Sequence, residues 1–123
     1  MNARKICVLV AEHQYFIAME VEQILQKIAG CDVTICRRNE IDQELEARRY
    51  DLVLVDAEAT VSECEDEARM IIAKGAKVAF LCADTQLSAE IDRALGLAVL
   101  EKPFTENAVI RFIEKAISPL QTG

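Results

Sequence analysis

The sequence predicts an α/β protein: a doubly wound (βα)5 three-layer sandwich around a five-stranded parallel sheet. Three observations predict it. Short apolar runs alternate five times with apolar residues at helical spacing along the 123 residues. The first, third and fourth runs lack period-2 alternation, as expected of strands covered on both faces. A helical stretch separates each run from the next, so the connections are crossovers and the strands parallel, with right-handed sense.

"ICVLVA" (6–11) reads as the first strand. Ile17, Val21, Ile24, Leu25 and Ile28 then mark one face of a helix, which Gly30 ends. "DVTIC" (32–36) is a short second strand, followed by a charged helix with Ile41 and Leu45 on one face and Asn39 as its expected cap. "DLVLVDA" (51–57) is the third strand. Ser62 and Glu65 fit an S-x-x-E capping box, predicting a helix that carries Ala68, Ile71 and Ile72 and closes at Gly75. "KVAFLCA" (77–83) is the fourth strand, and Ile91 and Leu95 mark a helix before Gly96. "LAVLE" (97–101) is the fifth strand. Val109, Ile110, Phe112, Ile113, Ala116 and Ile117 give a last helix expected to end at Ser118-Pro119.

Length and composition suit one domain over residues 1–123, with no effector segment expected after it. Hydrophobic residues make up 52% of the chain, enough for a sizeable core. A net charge of −7 disfavours nucleic acid as a partner and favours a cation or a basic protein surface. The five cysteines show no C-x-x-C spacing and mostly lie in apolar runs, which suits reduced thiols in a cytoplasmic protein. No run is long enough to span a membrane, and the apolar start is cut by Glu12, so neither a membrane nor a secretory signal is expected.

In this architecture ligands bind at the carboxyl ends of the strands. Those ends carry Glu12 and His13, Asp56, Cys82 and Lys102. The stretch after the first strand, "AEHQYF", has no glycine, so neither a dinucleotide loop nor a Walker A loop is present. An acidic edge with one lysine suits a hard divalent cation beside a phosphoryl group.

These same stretches carry a family resemblance. "VLVAEHQYFIAMEVEQIL", "YDLVLVDA", "VAFLCAD" and "VLEKPF" together resemble the receiver domain of bacterial two-component response regulators over nearly the whole chain. The resemblance implies a flavodoxin-like sheet in the order 2-1-3-4-5. It implies Asp56 as phosphoacceptor, Lys102 as the cation facing the phosphoryl oxygens, and a cis bond from Lys102 to Pro103. It further implies Mg2+ held by Glu12, Asp56 and the residue at position 13, with the residue at position 82 following the phosphoryl group.

Three positions depart from the family pattern. His13 stands where a second acidic metal ligand belongs, and imidazole suits zinc, copper or nickel better than magnesium. Cys82 stands where a serine or threonine belongs, and a thiol is a weak donor. Val99 replaces the aromatic switch residue, so any switching would use backbone amides or the loop from Asp84 to Leu87.

The expected function is therefore that of a stand-alone receiver in a phosphorelay. A histidine kinase or phosphotransfer protein would phosphorylate Asp56, and a downstream protein would read the face of the fourth helix, fifth strand and fifth helix. Such a protein is not an enzyme beyond catalysing its own phosphorylation and dephosphorylation. Magnesium binding is expected to be weak. The alternative is a pseudo-receiver, the same fold acting as an interaction module with weak or no phosphorylation, because of His13 and Cys82. A contact of His13 with phosphate, a zinc site of His13, Asp56 and Cys82, and a Cys82–His13–Asp56 hydrolase triad are further arrangements that these residue types permit.

Overall fold

In the computed structural model, residues 5–58 and 60–122 are described, with side chains except those at 28, 29 and 117–122. The expected contributions of Ile28 and Ile117 therefore lie outside the described residues. Five parallel strands run in the order β2-β1-β3-β4-β5. They are β1 (Cys7–Ala11), β2 (Asp32–Cys36), β3 (Leu52–Ala57), β4 (Lys77–Cys82) and β5 (Val99–Glu101). Helices α1 (Tyr15–Ile24), α2 (Ile41–Ala47), α3 (Val61–Ala73), α4 (Thr85–Leu95) and α5 (Glu106–Thr122) alternate with them. The predicted doubly wound, flavodoxin-like sandwich and its strand order are what the chain adopts.

Strand geometry divides the core. Successive side chains of a strand point to opposite faces. Val8, Val10, Leu52, Leu54, Ala79 and Leu81 pack with Ala18 and Val21 of α1 and with Val109, Phe112 and Ile113 of α5. Leu9, Val53, Val55, Phe80 and Cys82 face Ile41, Cys64, Ala68, Ile71 and Ile91 of α2, α3 and α4. Register places Val55 beside Ala11, and Ala57 beside Cys82. The carboxyl ends of the three central strands thus finish close together.

The helix boundaries correct several sequence expectations. Asn39 does not cap α2: it lies inside a 3-10 turn, Arg38–Glu40, where the Glu40 carboxylate accepts the Arg37 N–H at 2.8 Å. The cap of α3 is Thr60 rather than Ser62. Thr60 Oγ1 accepts the Glu63 N–H at 3.2 Å, and Ser62 lies within the helix. Starting the helix at Val61 puts Cys64, Ala68 and Ile71 on its buried face. Helix α5 does not end at Ser118-Pro119 but continues through it to Thr122. Residues 84–87 are not a free loop. Asp84 caps α4, accepting the N–H groups of Gln86 and Leu87 at 2.9 and 3.2 Å. After α1 the helix widens into a π turn, Leu25–Ala29, and ends at Gly30, whose φ of 62° suits a residue without Cβ.

Candidate functional site

Glu12 follows β1, Asp56 is the penultimate residue of β3, and Lys102 follows β5. Parallel pairing brings all three to one edge of the sheet. Lys102 Nζ lies 2.8 Å from Asp56 Oδ1 and 3.0 Å from Glu12 Oε1. The Lys102 side chain is 11% exposed, and the two carboxylates are almost fully buried. Burial works against the ammonium charge, but the hydrogen bonds and charge attraction of Asp56 and Glu12 together outweigh it and hold the lysine pKa above its ordinary value. The Lys102–Pro103 bond is cis.

The strand can end on Glu12 without a glycine because the carboxylate makes its own turn. Its Oε2 accepts the N–H of Gln14, the N-cap residue just before α1, at 3.1 Å. His13 then projects from the rim with its side chain 54% exposed. Its Nδ1 lies 2.7 Å from Asp56 Oδ2, 3.3 Å from Glu12 Oε2 and 3.5 Å from Glu58 Oε2. Each oxygen of Asp56 thus has a nitrogen partner, Lys102 on one and His13 on the other. Above the buried carboxylate lies an open cleft of about 560 Å³, bordered by His13, Asp56, Glu58, Asp84, Lys102 and Pro103.

Cys82 is placed differently from the other candidates. It is fully buried and does not line this cleft, and its Sγ donates to the Asp84 carbonyl at 3.3 Å. Burial pushes its thiol pKa up, so the group is a neutral thiol rather than a nucleophilic thiolate. That removes the basis for a hydrolase triad. The potential metal-binding cluster among the described residues is Glu12, His13 and Asp56, without Cys82.

Two charged residues at the site were missed in the sequence. Arg38, two residues past β2, donates through Nη2 to the carbonyl oxygen of Asp56 and through Nη1 to Glu67 Oε1 at 2.6 Å. Glu58, two residues past Asp56, stands between His13 and Arg38. The strand-end rule finds both when it is extended past the strand by two residues and applied to β2 as well.

Comparison with solved structures bears on the fold. A response regulator from Thermotoga maritima is 27% identical, with a TM-score of 0.72 over 94% of this chain and 99% of that one. The fold is that of a response regulator receiver domain. A response regulator receiver protein from Burkholderia phymatum (22% identity, TM-score 0.75, 93% and 96% of the two chains) has the same receiver fold. So does a chemotaxis response regulator of Vibrio cholerae (22%, TM-score 0.74, 92% and 99%). No protein-family profile matches the chain, and no curated protein matches it. Among the described residues no helix is long and apolar enough to cross a membrane.

The donor set of this receiver edge fits magnesium in part. Magnesium takes one or two protein carboxylates and keeps several waters, which Glu12 and Asp56 satisfy. The nitrogen of His13 is not a magnesium ligand of choice.

Proposed function

We propose that the chain is a phosphorelay receiver that takes a phosphoryl group onto Asp56 from a histidine kinase or a phosphotransfer protein. The observation that carries this reading is the Lys102 ammonium bridging two buried carboxylates at the floor of an open cleft. In the transfer, the P–N bond of the donor phosphohistidine breaks and a P–O bond to an Asp56 carboxylate oxygen forms. The departing imidazole keeps the electron pair and takes a proton from water. Lys102, already oriented by Asp56 and Glu12, neutralises charge on the phosphoryl oxygens. His13 must swing off Asp56 Oδ2 to open the second oxygen, and its half-exposed ring has room to do so. Glu12 and Asp56 would hold Mg2+, which when bound adds charge neutralisation at the same oxygens. With one carboxylate fewer than the receiver pattern, magnesium is held weakly.

The catalysis extends no further than the domain's own phosphorylation and dephosphorylation. Output passes by protein–protein contact through α4, β5 and α5, where Val99 and Phe104 sit half-buried beside exposed Glu101 and Arg111. Five free cysteines suit a cytoplasmic setting.

A second reading is a pseudo-receiver that binds partners without phosphoryl chemistry. It is favoured by the 2.7 Å contact of His13 with Asp56, which occupies the oxygen a donor would approach. One experiment separates the two. The protein is mixed with magnesium and beryllofluoride, and backbone amide shifts are followed by NMR. Perturbations centred on residue 56, absent in Asp56→Asn and larger in His13→Asp, support the phosphoacceptor. No response at high magnesium from either the native protein or His13→Asp would rule it out.

A further inference from the structure

We propose that Glu12, His13 and Asp56 form a site selective for a first-row transition-metal dication over magnesium, with His13 Nδ1 as the ligand that sets the preference. Ligand atoms bound about 2.1 Å from one ion lie roughly 3.0–3.4 Å from each other, according to octahedral or tetrahedral arrangement. The His13 Nδ1 separations are 2.7 Å to Asp56 Oδ2 and 3.3 Å to Glu12 Oε2. A third carboxylate oxygen, from Glu58, stands at 3.5 Å. Small side-chain shifts therefore bring these atoms round one ion, and the three cluster residues already offer donor atoms within 4.8 Å of one another.

The chemistry selects the metal. Imidazole favours the later first-row dications, whereas magnesium demands oxygen. Charge permits a dication: Glu12, Asp56 and Glu58 outnumber Lys102 and Arg38 by three to two. Binding requires His13 to give up its 2.7 Å hydrogen bond to Asp56 Oδ2 and move its proton from Nδ1 to Nε2, which the exposure of the ring allows. Glu12 and Asp56 are buried and held by Lys102, and the half-exposed imidazole can carry its proton on Nε2 while Nδ1 binds metal. A transition metal here would engage Asp56 directly, so occupancy would bias the same carboxylate that the proposed phosphorylation uses. The inference concerns the metal alone and is tested without a phosphodonor. Its failure would leave the phosphoacceptor reading standing, and the reverse also holds.

The test is titration of the chelator-treated full chain with Co2+, read from its visible ligand-field absorption, with Zn2+ and Mg2+ as competitors. One equivalent of Co2+ should bind, be displaced by Zn2+, and resist a hundredfold excess of Mg2+. His13→Ala should weaken Co2+ by about tenfold or more, by analogy with the loss of metal-site support. His13→Asp should narrow the gap between Co2+ and Mg2+ by a similar factor. Far-UV circular dichroism checks that both variants fold, as expected for a half-exposed position. Unchanged Co2+ affinity in both variants, equal affinity of the native protein for Co2+ and Mg2+, or intense thiolate charge-transfer bands placing the metal on cysteine would each overturn the proposal.

Discussion

Replacing Lys102 with methionine keeps the length and apolar stem of the side chain and removes only its charge. Asp56 and Glu12, 3% and 0% exposed at their side chains, then lose their shared ammonium. Removing one partner of a buried ion pair leaves uncompensated charge and costs about 3–5 kcal/mol. That is a large share of a total stability of about 5–15 kcal/mol. With a urea slope of about 2 kcal/mol per molar, the midpoint should fall by about 2 M. Adding Glu12→Gln to Lys102→Met removes one of the stranded charges and should return about 1–2 kcal/mol, a non-additivity that only direct coupling produces. The sign with pH is fixed as well. Burial lowers the Lys102 pKa, but the hydrogen bonds and charge attraction of Asp56 and Glu12 together raise it by more. The lysine's contribution is therefore complete below its unfolded value of about 10.4 and disappears as pH rises through the higher folded value. Native and Lys102→Met stabilities should converge at strongly alkaline pH. Urea melts followed by circular dichroism provide the assay. A midpoint drop under about 0.5 M at neutral pH, or no recovery in the double variant, would refute the claim that this ammonium neutralises a buried pair.

Thr60→Ala should cost about 1 kcal/mol by stripping the cap of α3, whereas Ser62→Ala should cost under about 0.5 kcal/mol; thermal melts of the two variants decide which residue is the cap. Burial, reinforced by Glu44 and Glu40, pushes the Cys36 thiol from 9.0 up to about 12. A raised folded pKa gives stability that is full below 9.0 and is lost as pH rises through about 12. Urea midpoints should therefore fall with pH across that window, and less steeply in Cys36→Ala. Parallel slopes would place the titrating group elsewhere.

The elements were legible where local pattern and tertiary demand coincide. Val53 and Val55 on one face of β3, and Leu52 and Leu54 on the other, are apolar because helices cover both sides. That requirement is written directly into "DLVLVD". Caps were less legible. Thr60-Glu63 and Ser62-Glu65 both fit the same box, and only the need to bury Cys64 and Ala68 selects the first. Glu12, Asp56 and Lys102 could be placed together because each sits at a strand end, so strand order alone fixes their convergence. The contact of His13 with Asp56 depends on a rotamer, and the bonds of Arg38 to Asp56 and Glu67 depend on a long side chain crossing from the neighbourhood of a different strand. Neither leaves a periodic trace in the sequence. The bond from the Cys82 thiol to the Asp84 carbonyl is likewise local and leaves no pattern to read.

Arg38 links the peptide of the candidate acceptor to helix α3. One end of its guanidinium grips the main-chain oxygen of Asp56, and the other grips Glu67, four residues from Ile71 in the core. A new anion beside Asp56 would compete with Glu67 for that guanidinium. Through this one guanidinium, displacement of the Asp56 peptide would be felt by α3, on the opposite side of the sheet from α5.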